Sequence, residues 1–181
     1  MKAANYYAGH QEAEGAVVTV TRSGRTKPLD PRLVLRNHSP TGFAWDYGGS
    51  GPAQLALALL SNYFGATLGG RALAEALYQP FKFAVIAVLP QPRWKMSFEE
   101  IGIALCRMLT ERPDLFAHVI SQLEFAIYDE AESEDRNAAN LSSAAIGERI
   151  AGILSEAVPM SRAFAERLVE QHYNAVQTHL A

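Results

Sequence analysis

The chain holds a single cysteine, Cys106, in 181 residues. An internal disulfide is therefore excluded, and the scarcity fits a reducing compartment, so the expected location is cytoplasmic. Cys106 sits in a helical pattern between Leu105 and Arg107 and reads as a small packed side chain rather than a nucleophile. No apolar run reaches the ~18 residues that a membrane-spanning helix needs. The segment Met1 to Gly15 lacks the apolar core of a secretory signal. Metal ligation has little to work with. His10, His38, His118, His172 and His179 are scattered, with no HxxxH pair and no CxxC. The acidic run Asp129 to Asp135, DEAESED, lacks the glycine and alternating ligands of a calcium loop. Its carboxylates repel one another and predict a solvated loop, with mimicry of nucleic-acid phosphates as the sharper alternative. No cofactor is expected.

What is present is a core-forming composition, 49% hydrophobic against 19% charged, which is enough apolar surface to fold. The net charge of −3 hides a division. Residues 1–96 carry a balance of +5 and residues 97–181 a balance of −8. Such asymmetry fits either different partners for the two ends or mutual attraction between packed layers.

The chain is organised around Arg36 to Asn62, RNHSPTGFAWDYGGSGPAQLALALLSN. Its first half is polar and aromatic. Its second half passes through Gly48, Gly49 and Gly51 into a helix that is apolar nearly all round, as a buried central element is. Ser50 is expected to cap that helix, with Pro52 in its first turn, where the missing N–H costs nothing. Gly65 is the expected stop.

The run His38 to Leu60, HSPTGFAWDYGGSGPAQLALALL, resembles the signature of a small bacterial and phage family, a domain of unknown function common in phage and mobile-element genomes. Members read close to HSPTGFxWGYGGSGPAQLALALL, so Asp46 stands where a glycine is expected. The resemblance extends to Tyr78-Gln79-Pro80-Phe81-Lys82 and on through Trp94, and covers roughly residues 1–100. It implies a genomic setting rather than a reaction.

Along the chain, residues 3–7 and Ala16 to Thr21 read as strands, the second on its β-branched residues. Ser23-Gly24 makes a turn, and Arg32 to Arg36 reads as a further short strand. Arg71 to Leu77 predicts a short helix that Pro80 ends. Phe81 to Leu89, FKFAVIAVL, predicts a buried strand pairing with Ala16 to Thr21. Ser97 and Glu100 form a capping box before the stripe Phe98, Ile101, Leu105, Met108 and Leu109. Pro113 opens a helix with Phe116, Val119, Ile120, Leu123 and Ile127 inward. Asn140 or Ser142 caps another, with Ile146, Ile150, Ile153 and Leu154 inward. Ser161 to Leu180 forms the last, with Phe164, Leu168, Val169, Tyr173, Val176 and Leu180 inward. The expected fold class is α+β: a small antiparallel sheet on a central buried helix, followed by a helical subdomain of about four helices. The expected division is an α+β domain at 1–96 and an acidic helical subdomain at 97–181.

Two candidate sites follow. Backbone N–H groups of Gly48, Gly49, Ser50 and Gly51 at a helix start could hold an anion, with Arg36, His38, Ser39, Thr41, Trp45 and Asp46 near them. No Walker or GxGxxG pattern accompanies the turn, and a tight turn alone would use the same glycines. Residue types allow a Ser–His–Asp set, but that set is defined by geometry, so no catalytic residue is assigned. Arg22, Arg25, Lys27, Arg32 and Arg36 form a basic hairpin region able to touch nucleic-acid phosphates, or simply a solvated face. The expected function is that of a phage or mobile-element accessory protein binding a host or phage macromolecule, first a protein and second a nucleic acid, without membrane association. Counter-defence, such as anti-CRISPR inhibition of a host immune complex, is one concrete form. A homo-oligomer is compatible with this. The alternatives are a phosphate- or nucleotide-binding protein or hydrolase using the glycine turn, and a nucleic-acid-binding regulator using the hairpin.

Overall fold

A computed structural model describes residues 4–133 and 141–180. Four antiparallel strands, β1 (Tyr6–Glu12), β2 (Gly15–Arg22), β3 (Arg25–Pro28) and β4 (Arg93–Ser97), form one sheet in the order β3-β2-β1-β4. Alternation decides its inner face. Tyr7, Val18, Val20, Trp94 and Met96 turn inward and are buried. The register pairs Gly9 with both Val18 and Trp94, and the Trp94 indole lies directly over Gly9. A Cβ on Gly9 would stand 2.5 Å from that ring, so only glycine fits there.

Helix α1 (Ser50–Phe64) is the centre of the molecule, buried without interruption from Gly51 to Ser61. Tyr7 ties it to the sheet, its hydroxyl donating to Asn62 Oδ1 at 2.8 Å. Arg22 reaches across the helix end, donating to the Asn62 carbonyl at 2.6 Å while its guanidinium covers the Phe98 ring. Gly65 ends α1 at φ +82°. Helix α2 (Leu68–Ala84), capped by Thr67, packs along α1. Helices α3 (Phe98–Glu111), α4 (Pro113–Ser133), α5 (Ser143–Ala157) and α6 (Arg162–Leu180) follow. One hydrophobic cluster runs from Tyr7 through α1, α2, α3, α4 and α5 to Val169 in α6. The α+β class with a helical C-terminal region is as the sequence predicts. Ser97 and Glu100 form the expected reciprocal cap of α3, and Ser142 caps α5. Asn140, the other expected cap, lies outside the described residues.

Several local expectations are overturned. Phe81–Leu89 is not a strand: α2 continues to Ala84 and a 3-10 turn covers Ile86–Val88. Pro80 is accommodated inside α2 because Leu77, Tyr78 and Phe81 around it are all buried. Their burial, ~1.5–3 kcal/mol for each large side chain, outweighs the ~3 kcal/mol that an interior proline costs. The helix expected at Arg71–Leu77 thus continues past Pro80, and at its other end it begins at Leu68 behind the Thr67 cap. Ala16–Thr21, within β2, pairs instead with β1 and β3, and the strand after Phe81–Leu89 is β4, which pairs with β1 and alternates Arg93 and Lys95 with Trp94 and Met96. The N-terminal strand starts at Tyr6 and runs to Glu12, past the expected 3–7. Arg32–Arg36 is a turn, with Arg32 at φ +58° and its N–H donating to Asp30 Oδ1. Asp129–Ser133 is helical, continuing α4, because Ala131 is buried and Glu130 pairs with Arg149 of α5; residues 134 and 135 lie outside the described residues. Among the described side chains of α6 only Ala165 and Val169 are fully buried, Phe164, Leu168 and Tyr173 are half-buried, and Val176 is exposed; the side chain of Leu180, also expected inward, lies outside the described ones. Cys106 is partly buried against the core rather than fully enclosed.

Candidate binding surface

The loop between β3 and α1 has no regular structure of its own, yet it is pinned. Leu29 donates its N–H to the Val18 carbonyl at 2.9 Å, and Phe43 forms an isolated antiparallel bridge with Ala16. The main anchor is Gln54, the one amide in an otherwise apolar stretch of α1 and wholly inaccessible to solvent. Its Oε1 accepts the backbone N–H of His38 at 2.8 Å and of Ser39 at 3.2 Å. Its Nε2 donates to the carbonyls of Pro31 and Arg36. A buried primary amide has two donor hydrogens and two acceptor lone pairs, and all four are used. The helix thus holds the loop by its backbone and leaves the side chains of that segment free for other work.

His38 and Arg36 both turn towards Tyr78 of α2. The His38 and Tyr78 rings stand 5.3 Å apart, and the Arg36 guanidinium lies 5.9 Å from the Tyr78 centre. Burial, the Arg36 charge and the Lys82 charge, in that order, lower the His38 pKa from its usual value. The buried His38 Nε2 has no hydrogen-bond partner among the described residues. Lys82, one helical turn beyond Tyr78, is only 6% exposed, with its ammonium 3.9 Å from the centre of the Phe83 ring. Phe83 in turn rests on Gly48, where an added Cβ would lie 3.0 Å from the ring. Arg36, His38, Tyr78, Lys82, Phe83 and Gly48 therefore form one connected group.

The other residues of the motif divide by role. Trp45 is buried, donates from Nε1 to the Pro90 carbonyl at 3.0 Å and meets Trp94 edge-on at 5.9 Å between centres. Its role is to brace the loop against the segment leading into β4. Asp46 is exposed and holds φ +73°, with its N–H donating to the Ile86 carbonyl. The Tyr47 ring folds over Gly49, where a Cβ would meet it at 2.2 Å. Only glycine fits so close an approach. Gly49, rather than the expected Ser50, stands at the N-cap; Ser50 is the first helical residue, and no side chain caps α1. Ser39 is buried and its Oγ lies 3.3 Å from the Thr41 hydroxyl, while Thr41 is exposed. Ser39, His38 and Asp46 make no hydrogen bond to one another through their side chains among the described residues.

The basic residues are dispersed. Arg22 turns inward onto Asn62 and Phe98. Arg25 and Lys27 lie exposed on the edge strand β3. Arg32 pairs with Asp30 at 3.5 Å. Only Arg36 of the five joins the group around Tyr78. Motif reading left out Gln54, Tyr78 and Lys82 as builders of this surface. The signal for Gln54 was its polarity inside an apolar helix. Lys82 likewise stands between Phe81 and Phe83 in a segment otherwise apolar from Pro80 to Pro90.

Fold and surface together define a small α+β protein built on one enclosed helix that carries a pinned, aromatic-rich loop at its head. Within that class, the chain belongs to a family of unknown function (DUF6166), whose model matches residues 7–107. The match runs from β1 into α3 and includes the whole loop. No curated protein and no solved structure matches the chain. Among the described residues, no helix is long and apolar enough to cross a membrane.

Proposed function

We propose that this chain is a phage or mobile-element accessory protein that acts by docking a macromolecule, first of all a protein, with counter-defence as its biological setting. The docking surface is the loop from Arg32 to Gly49 together with the end of α2 and the turn at Ile86–Val88. One observation carries this reading. Large apolar side chains stay exposed there on backbone that is firmly held: Val34 is 101% exposed, and Tyr47, Phe83 and Val88 are more than half exposed. Exposing such side chains together brings no folding benefit, and clusters of this kind mark interaction sites. Aromatic anchors beside an arginine are also the composition of interface hot spots. The loop's pinning by Gln54 means that little ordering entropy is lost on binding.

The test uses a photo-crosslinking residue at position 83 or 34, with position 125 as comparison, since Phe125 is exposed on α4 outside this surface. Crosslinking in cells carrying the native host background should give a discrete adduct from positions 83 and 34. Adducts of equal yield from position 125, or none from 83 and 34 with the protein folded, would refute the reading.

A further inference from the structure

We propose that Arg36, His38 and Lys82 form a seat for a phosphate group, with Phe83 and Tyr47 beside it as aromatic surface. This goes beyond the docking reading and does not depend on it.

The argument starts from Lys82. Its stem is buried, but its ammonium is not among the enclosed, unpartnered atoms and so still reaches solvent, where an anion could meet it. No carboxylate is paired with Lys82 among the described residues, and its ammonium lies against the Phe83 ring. Arg36, though exposed, likewise pairs with no acid among the described residues, and its guanidinium lies over Tyr78. His38 adds a third nitrogen, Nε2, that is enclosed and without a partner. Two cations and an unsatisfied imidazole nitrogen are thus gathered against Tyr78 and Phe83, with no counter-charge supplied by the described chain.

The chemistry of the set selects the ligand. A guanidinium offers a planar fork and an ammonium a point charge, and both suit oxyanions. Three separate nitrogen positions match a tetrahedral phosphate, which presents three or more oxygens, better than a carboxylate, which presents two. Phe83 also touches Gly48, two residues before the start of α1, which no side chain caps. The exposed rings of Phe83 and Tyr47 are of the kind on which a nucleobase stacks. The phosphate could be free or part of a nucleotide, and the two are separated by experiment.

The test is a titration of the full-length protein, at constant ionic strength, with sodium phosphate, adenosine monophosphate and sodium acetate, following the His38 imidazole signals by NMR. Phosphate should move these signals saturably and acetate should not. Tighter binding of the nucleotide than of phosphate would identify a nucleotide site, and equal binding a site for the phosphate alone. Lys82→Met should weaken binding by about tenfold or more, as loss of a charge-assisted contact does. Arg36→Gln, at an exposed position whose loss leaves the core untouched, should do likewise if Lys82→Met folds poorly. Lys27→Met, on the far edge strand, should bind as the parent does. Absence of a saturable His38 response to phosphate, an equal response to acetate, or unchanged affinity in Arg36→Gln and Lys82→Met would overturn the proposal. None of these results bears on the crosslinks at positions 34 and 83, so the two readings fail separately.

Discussion

Gln54 holds His38 in place through its backbone, accepting the His38 N–H at 2.8 Å from a position with no solvent access. The side chain of one central-helix residue thereby sets the path of the loop that presents Val34 and Tyr47. Gln54→Leu keeps the volume but strands the carbonyls of Pro31 and Arg36 and the N–H groups of His38 and Ser39. Each group left unsatisfied costs roughly 1–3 kcal/mol, less where the loop can reopen to water. The expected outcome is a loss of about 3 kcal/mol in urea unfolding, with faster amide exchange confined to residues 31–39.

Asp46 occupies left-handed backbone at φ +73°, where a side chain is strained and glycine is not. Asp46→Gly should stabilise the protein by a few tenths to about 1 kcal/mol, the relief of strain being partly offset by the greater freedom of glycine in the unfolded chain. Asp46→Asn separates charge from conformation, since it removes the first and keeps the second. Thermal unfolding of the three proteins checks the order, with the glycine variant highest.

Trp45 and Tyr47 are two residues apart and have opposite roles. Trp45→Ala should cost ~3–5 kcal/mol, because it empties a filled site and breaks the bond to Pro90. Tyr47→Ala should change stability by less than about 1 kcal/mol, being largely exposed, and should reduce crosslinking from position 83. Equilibrium unfolding of both variants distinguishes a structural aromatic from a presented one.

His38 makes stability depend on pH in a defined direction. Burial and the nearby Arg36 and Lys82 charges lower its folded-state pKa below the unfolded value of 6.5. The unfolded chain then binds a proton more readily, so this contribution is complete above the unfolded pKa and is lost as pH falls through the folded one. His38→Gln should flatten the corresponding part of the stability–pH curve between neutral and mildly acid pH. Lys82→Met should weaken the dependence without abolishing it, because burial and Arg36 remain.

Much of the frame was legible because local chemistry and packing agree. Ser97 with Glu100, Ser142, Gly65 and the apolar run from Leu55 to Leu60 each specify a boundary or a buried face without reference to distant residues. The segment Phe81–Leu89 misleads because Val85, Ile86 and Val88 favour extended backbone, while the buried stripe Leu73, Leu77 and Phe81 commits the chain to helix up to Ala84. The surface was harder to read for a different reason. Arg36, His38, Gly48 and Tyr47 stand close together in sequence, but Tyr78, Lys82 and Phe83 reach them only because α2 packs back along α1. No spacing rule encodes that return. Arg22 shows the converse: it looked like part of a basic face and is spent on the end of α1.

The sheet order places β1 between β2, its neighbour in sequence, and β4, which follows about eighty residues later. Until Arg93–Ser97 arrives, one side of β1 offers bare N–H and C=O groups to any extended segment that meets it. A nascent or truncated chain stopping short of Arg93 should therefore self-associate through that unpaired side. Chaperone engagement during synthesis would be needed longest while α1 and α2 are emerging. A fragment ending at Leu89 that stays monomeric by ultracentrifugation would show that those two helices shield the vacant side by themselves.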